Sequence, residues 1–451
     1  MKGRLWGGLL VIALGIAALR ADAAPSVDIQ TAKRLSIVLL SQGRARSAHA
    51  ILTELYKHNA EDPEILITLS RASRALGRSQ EAIRLARDAF DLSDTAALRF
   101  LSARTMAEAL AANGQHTKAQ IWLRRAGQYA PTPAAKALIR RDYQYVRSRN
   151  PWAFRFSTSV SPTDNVNDAP TTDEIVIGGL VFVDPTARPI SGLVFSFSAQ
   201  ATYRLPATET RQTEASLGFD MQRVQLGSDA ETINPELENQ DFSADRLTLG
   251  WSGRFRNPDS GGVYDASARV FADWNGGSRS QNGVAVEGGY SWTPVPRNLI
   301  RVGAGIEYLD RLDRPIRSST SYSLSGKWSR QLQNKDVFSL SVTLSESDSE
   351  SSAVAHYSTR LRASYYLSKP VAAAQIGFVA DFRNTLFDTP LYSADRRQDD
   401  GMSLSANATF KDWGIYGFAP VLELKHERVQ SNVARFDRGA TYLSISFRST
   451  Y

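Results

Sequence analysis

The chain has 451 residues, room for two or three domains, and no cysteine, which excludes disulfides, thiolate metal sites and a lipid-modified N-terminal cysteine. Its formal charge of +7 is unevenly spread: residues 24–150 carry a net +9 and residues 151–451 a net −4. A basic module joined to a faintly acidic one follows, and because the basic residues are scattered rather than clustered they read as a solvated face, with no nucleic-acid partner expected.

Residues 1–23 read as a secretory signal. Lys2 and Arg4 form a basic start, and Leu5 to Leu19 is an apolar run too short for the ~20 residues of a spanning helix. Ala21-Asp22-Ala23 fits a small-x-small cleavage site. No later stretch approaches a membrane-spanning helix, so an exported chain that enters a second membrane must do so as a closed barrel.

Residues 24–150 repeat. Gly43-x4-Ala48, Gly77-x4-Ala82 and Gly114-x4-Ala119 recur at spacings of 34 and 37, close to the tetratricopeptide period. The glycines are expected in turns between paired helices, where a compact residue fits, and the alanines where helices pack closely. Stacked helix pairs form an array that commonly binds a peptide or a protein; the alternative is a plain spacer. Leu138 to Val146 reads as a closing helix, and Trp122 and Tyr129 as core.

From Pro151 the period changes to two. Ile300, Val302, Ala304 and Ile306 alternate with Arg301, Gly303, Gly305 and Glu307, and Phe338, Leu340, Val342 and Leu344 with serine and threonine. Strands are expected near 152–162, 190–205, 212–224, 242–256, 263–275, 280–293, 298–311, 318–331, 336–349, 354–367, 373–387, 400–411, 415–430 and 438–451. These runs are longer than the usual soluble strand of ~5–6 residues. An even number, about fourteen, lets a bacterial transmembrane barrel close. With residues 24–150 in the periplasm, the long connections near 163–189, 225–241 and 388–399 all fall on the outer side. Trp152, Trp274, Trp292, Trp328 and Trp413 stand near strand ends, where an interfacial girdle belongs. The last run, Leu443, Ile445, Phe447 and then Tyr451, looks like the C-terminal signal read by the barrel assembly machinery, although Ser449 interrupts it. The fold class expected is therefore α + β in separate domains: signal peptide 1–23, a tetratricopeptide-like α-solenoid over 24–150, and an antiparallel transmembrane barrel over 151–451.

On this alternation Arg269, Asp273, Arg301, Glu307, Arg360, Arg362, Asp381, Arg383, Glu423 and Lys425 point into the lumen, because a lipid-facing charge near the midplane costs roughly 2–4 kcal/mol. A mixed-sign lumen suits a polypeptide path better than an ion-selective pore. The segment Glu174 to Val183 would make the strand count odd, so it is assigned to the first long connection. There it either folds into the pore as a plug or forms an external hairpin.

The organisation of the chain, with Pro151-Trp152 opening the barrel, Asn165-x-Asn167 after its first strand and Ile177-Gly178-Gly179-Leu180 beyond, resembles the surface lipoprotein assembly modulators, or Slam proteins. That resemblance covers nearly the whole chain after the signal. It implies an outer-membrane translocator of surface lipoproteins or related secreted haem-binding proteins, a periplasmic chaperone or lipoprotein carrier as a further partner, and outer-membrane lipids around the barrel. Asn165, Asn167, Gly178 and Gly179 match the family motif, with turn formation as the bland reading of the two asparagines. No cofactor, metal or catalytic residue is expected: His49, His58, His116, His356 and His426 form no ligand or triad pattern. Asp388 to Asp400 is acidic enough for Ca²⁺ but reads as a solvated loop. An exopolysaccharide exporter, a general porin and a membrane enzyme are the competing functions.

Overall fold

The computed structural model describes residues 28–449 apart from 178–179, 185 and 391–394; the expected signal segment, Gly178, Gly179 and Tyr451 lie outside the described residues. Seven helices come first: α1 (Ile29–Ser41), α2 (Ala45–His58), α3 (Pro63–Ala75), α4 (Ser79–Asp91), α5 (Ala96–Ala112), α6 (His116–Gln128) and α7 (Pro133–Arg149). Their starts follow local chemistry. Asp62, Thr95 and Thr132 cap α3, α5 and α7 by accepting from backbone N–H groups, and Pro63 and Pro133 occupy first-turn positions that need no donor. Gly43, Gly77 and Gly114 end α1, α3 and α5 with φ of 75°, 80° and 72°. A Cβ on any of them would meet nothing within 4 Å, so backbone handedness and not compactness selects glycine there. The expected close-packing alanines are fully buried: Ala48, Ala82 and Ala119 are at 0% exposure.

Two apolar clusters run through the helices, one around Leu52, Ile65, Leu66 and Leu85, the other around Met106, Leu123, Ile139 and Tyr143. Trp122 and Tyr129 pack on the second, with Trp122 edge-on to Phe90 at 5.0 Å. Successive repeats are also joined by polar side chains one repeat apart: Arg71 Nε donates to Thr105 Oγ1 at 3.3 Å, Arg74 pairs with Glu108 at 3.2 Å, and Arg104 with Asp142 at 3.0 Å.

The rest of the chain is β. In order come β1 (Trp152–Thr163), β2 (Glu174–Ile177), β3 (Leu180–Val183), β4 (Gly192–Arg204), β5 (Arg211–Leu226), β6 (Ala244–Arg256), β7 (Val263–Asn275), β8 (Ser278–Trp292), β9 (Asn298–Arg311), β10 (Ser319–Gln331), β11 (Val337–Ser349), β12 (His356–Tyr366), β13 (Gln375–Pro390), β14 (Arg396–Thr409), β15 (Phe418–Ser431) and β16 (Arg438–Ser449). All but β2 and β3 form one closed antiparallel barrel in which β1 meets both β4 and β16, a fourteen-strand ring. β2 and β3 pair with each other as a separate hairpin.

One boundary differs from expectation. Residues 388–390 and 396–399, read as parts of a loop, are strand: β13 runs to Pro390 and β14 starts at Arg396, with an irregular register between Leu386 and Pro390. The acids there already have partners. Asp388 pairs with Arg396 at 3.0 Å, Asp399 with Arg397, and Asp400 accepts from Asn384 Nδ2 at 2.7 Å. Among the described residues no cluster suited to a metal ion is found, there or elsewhere.

The outer face is apolar. Leu249, Val270, Val286, Val302, Leu324 and Leu344 are all more than a third exposed, on the face opposite the charged residues. Exposed apolar side chains all around a closed barrel are stable only against lipid. Aromatic rings cluster at the barrel end nearest the helices: Trp152 with Phe154 and Tyr203, Tyr264 with Tyr290 and Trp292, Trp328 with Phe338, and Phe410 with Trp413. Trp274 stands at the other end, at the close of β7 beside Arg279. These are the positions of two interfacial girdles.

Candidate pore and the docked helical domain

The residues expected in the lumen occupy one face of their strands, and that face carries a network of ion pairs. Arg246 on β6 clamps Asp273 on β7 through Nε at 2.6 Å and Nη2 at 2.8 Å, and Gln281 Nε2 donates to the same carboxylate at 2.6 Å. Arg269 on β7 reaches Glu287 on β8 at 3.1 Å and Glu307 on β9 at 2.8 Å. Arg301 on β9 returns across β8 to Asp265 on β7 at 2.6 Å. Both connections pass over a whole strand, and glycine makes the second possible. A Cβ at Gly289 of β8 would stand 2.7 Å from Arg301 Nη2.

A second sector lies on β12 to β16. Arg360 holds Asp381 at 2.7 Å, with Arg362 at 3.7 Å from the same carboxylate. Lys425 pairs with Glu427, which also accepts from Tyr442 Oη at 3.2 Å. Arg383 and Glu423 share this face without an ion-pair partner among the described residues. Arg360, Arg362, Asp381, Arg383, Glu423 and Lys425 all line a cavity of about 950 Å³ inside the barrel. Asp273 and Glu423 border another of about 1020 Å³ nearer the helices.

Between the charged sectors is a wall of hydroxyls. Ser321 pairs with Ser347 at 3.1 Å, Ser329 with Ser339 at 2.9 Å and Ser345 with Ser358 at 2.8 Å, tying β10, β11 and β12 across their inner faces. The lumen thus offers carboxylates, guanidinium groups and hydroxyls in alternation. Because most of its charges are paired side by side, it presents little net field of either sign.

Asn165 and Asn167 serve structure. Asn165, at 2% exposure, donates through Nδ2 to the carbonyls of Ala169 and Gly439 at 2.9 and 3.0 Å and accepts from the Ala169 N–H at 2.9 Å. It pins the first connection to β16. Asn167 accepts from the Ile190 N–H at 3.0 Å and donates to the Arg188 carbonyl at 2.8 Å, closing the base of the same connection.

The described side chains of β3 line neither lumen cavity. The base of the β2–β3 hairpin is held by Arg188 against Asp173 at 2.6 Å, a bond that keeps the Asp173 carboxyl below its usual range. Thr171 N–H donates to the Asp437 carbonyl at 2.7 Å, which seats it against the β15–β16 connection. Leu180, Val181, Phe182 and Val183 are between 49% and 66% exposed and border neither lumen cavity. Of the two dispositions open from sequence, these exposures fit the external hairpin, while Asp168 of the same connection borders the smaller cavity and pairs with Arg438 at 3.1 Å.

The helical domain does not hang on a free tether. Asn150, 3% exposed, donates to Thr117 Oγ1 at 3.0 Å and Gln120 Oε1 at 3.2 Å on α6 and accepts from the Trp152 N–H at 3.1 Å. Arg124 of α6 donates to the carbonyls of Tyr416 and Gly417 at 3.2 and 3.3 Å and to Ser449 Oγ at 2.8 Å, and lies over the Phe418 ring. Gln128 Oε1 accepts from the Tyr416 N–H at 3.0 Å. Arg124 and Arg147 also border the larger lumen cavity, so the helices partly cover that opening. Sequence reading missed Asn150, Arg124 and Gln128; only the Asn-Pro junction beside an aromatic hinted at a fixed joint.

The tetratricopeptide repeat family matches residues 39–92. No curated protein matches the chain by sequence. Among solved structures, an outer membrane channel from Pseudomonas putida F1 is similar over 66% of this chain and 95% of its own, with 11% identity and a TM-score of 0.33. OprB of Pseudomonas putida is similar over 69% and 96%, with 8% identity and a TM-score of 0.38. The helices are similar to SycD, a type III secretion translocator chaperone of Yersinia enterocolitica, over 28% of this chain and 86% of that one, at 20% identity and a TM-score of 0.25. The closed ring, its apolar belt and the repeats together define a class: a transmembrane β-barrel of outer-membrane type with a tetratricopeptide domain fixed to one end.

Proposed function

We propose that this chain is an outer-membrane translocator that helps move surface lipoproteins, or a related secreted haem-binding protein, to the cell surface. In this reading the helical domain lies in the periplasm, receives the cargo or its carrier, and delivers it to the barrel. The observation that carries the reading is the joining of a peptide-binding type of scaffold, by buried and charged contacts, to the mouth of a lumen most of whose charges are already paired. Such a lumen tolerates a passing polypeptide of either sign without trapping it, which a single-sign pore would not. Resemblance to the Slam proteins supports the same cargo class. The work is binding and passage, with no bond made or broken by the barrel.

The test is surface labelling of candidate lipoproteins in a strain lacking this chain, with and without complementation. Loss of surface exposure, while the same lipoproteins accumulate inside, is the expected result. The serine wall of β10 to β12 favours a second reading, export of an exopolysaccharide, because paired hydroxyls suit a chain of sugar hydroxyls. Loss of surface polysaccharide with normal lipoprotein display would establish it instead.

A further inference from the structure

We propose that the β1–β16 seam is a lateral opening through which the acyl chains of a lipid-anchored polypeptide stay in the bilayer while its polar chain occupies the lumen. This rests on the translocator reading above and gives it a route for the lipid.

The seam is unlike its neighbours. On one side β1 pairs with β4 along its whole length, from Trp152↔Tyr203 to Thr163↔Gly192. On the other it meets β16 at Ser159↔Ser446, Val160↔Ile445 and Thr163↔Tyr442. The same register would carry Phe156, Ser157 and Thr158 onto Ser449, Arg448 and Phe447, yet those described residues are not paired with each other. β16 is paired there on its other side, with Phe418 opposite Ser449. Within the paired part Pro162 has no N–H to give, and Ser161 meets Ser444 through hydroxyls. Pro162 therefore thins the ladder within the paired part as well.

Backbone left unpaired at membrane depth survives only where it lines a water-filled space. Such a space is present. The cavity of about 1020 Å³ is lined by both strands at this place, through Phe156, Ser157 and Thr158 on one side and Phe447, Arg448 and Ser449 on the other. The lipid side of the gap is apolar: Phe154, Phe156 and Val160 of β1 and Ile445 and Phe447 of β16 are all exposed. Polar lumen and apolar exterior thus meet at an incomplete wall. That is the environment a molecule with a polar chain and an acyl anchor requires.

The gap also has a fastening. Arg124 grips Ser449 at the end of β16 and the β14–β15 turn beside it, from a helix whose neighbour α7 leads directly into β1. The helical domain therefore holds both strands of the seam. Movement of α6 on binding cargo would change the grip on β16 first.

Because the chain has no cysteine, the seam can be locked without background. Adjacent pairs in an antiparallel ladder alternate in spacing, so either Ser159→Cys/Ser446→Cys or Val160→Cys/Ile445→Cys presents the closer geometry for a disulfide. Ser329→Cys/Ser339→Cys, across β10–β11, is the control. The full chain in phosphatidylethanolamine/phosphatidylglycerol vesicles is offered a dipalmitoylated synthetic peptide carrying a benzophenone, or the same peptide without acyl chains. The expected result is photo-labelling of β1 and β16 by the acylated peptide alone, lost on oxidation of the seam pair, regained on reduction and unaffected by the control pair. Full labelling with the seam oxidised, or equal labelling by the unacylated peptide, overturns the proposal.

Hydrogen exchange of the unsubstituted protein supplies a second reading if the variants fail to assemble. Amides of Phe156, Thr158, Phe447 and Ser449, which face the seam, should exchange early while those of Ser323–Lys327 stay protected. Equal protection overturns the proposal. In cells the two ideas separate: normal lipoprotein display with an oxidised seam removes the lateral opening and leaves the translocator standing, whereas normal display in the deletion strain removes the translocator.

Discussion

Asn150 is the most economical place to ask whether the helical domain and the barrel act as one body. Its side chain makes three hydrogen bonds, to Thr117, Gln120 and the Trp152 N–H, from a position almost closed to water. Replacing it by alanine removes all three and leaves the Trp152 N–H without that acceptor. At about 0.5–1.5 kcal/mol net for each bond, the loss is roughly 2–4 kcal/mol. If most of it falls on docking, the undocked population rises by roughly 30- to 1000-fold. The barrel strands do not depend on Asn150, so heat-modifiable migration of the barrel should stay as in the parent. The assay is limited trypsinolysis of the protein in vesicles at Arg147 and Arg149, whose cleavage rate follows the open population when reclosing is fast. Asn150→Ala should be cut faster by a factor within that range, and Asn150→Asp, which keeps an acceptor for Trp152, less so. Equal cutting of Asn150→Ala and parent would refute the idea that this joint fixes the domain.

Four other outcomes are expected. Single cysteines at Arg269, Arg301, Arg362 or Arg383 should react with a membrane-impermeant thiol reagent, while Val270, Val302, Leu361 and Phe382 should react with a lipid-phase probe; the reverse pattern would shift every strand by one residue. Gly77→Ala places a side chain at φ 80° and should destabilise the helical domain by about 1–2 kcal/mol, read as a lower thermal midpoint by circular dichroism. Deleting residues 172–186 should leave uptake of small hydrophilic antibiotics near the parent level, because β3 lines neither lumen cavity; a large rise would return the segment to the role of plug. Finally, Arg311 hydrogen-bonds Asp313 and pulls its carboxyl down from 3.8 to about 2. A depressed acid stabilises the fold above its unfolded value and loses that contribution as pH falls through the folded one. Protection of the 312–318 amides, measured against their intrinsic exchange at each pH, should therefore fall between pH 3.8 and about 2 in the parent, and already be lower at neutral pH in Asp313→Asn.

Much of the architecture was legible in the sequence because it depends on short-range periodicity. Side chains on a strand alternate faces whatever the strand pairs with, so Ile300, Val302, Ala304 and Ile306 declare one apolar face before any neighbour is known. The strand count and the even closure follow from those runs, and the helical repeat from glycines at positive φ that any such turn requires. The misread stretches at 388–390 and 396–399 failed for a related reason. Their charges resemble a loop, but beyond the membrane a hairpin has water on both faces and no longer shows the alternation.

Partner choice is different in kind, and only tertiary structure decided it. Arg301 and Asp265 lie 36 residues apart and meet because β7, β8 and β9 are neighbours in a given register and Gly289 leaves the space between them. The β2–β3 hairpin owes its place to Thr171 reaching Asp437, at the far end of the chain. Arg124 looks like any exposed helical arginine until the fold brings Tyr416, Gly417 and Ser449 beneath it. The seam belongs to the same group. Pro162 can be read in the sequence, but that β1 and β16 close the ring there, and stop pairing below Ser159, depends on fourteen strands twisting through a full turn, and no local pattern encodes that sum.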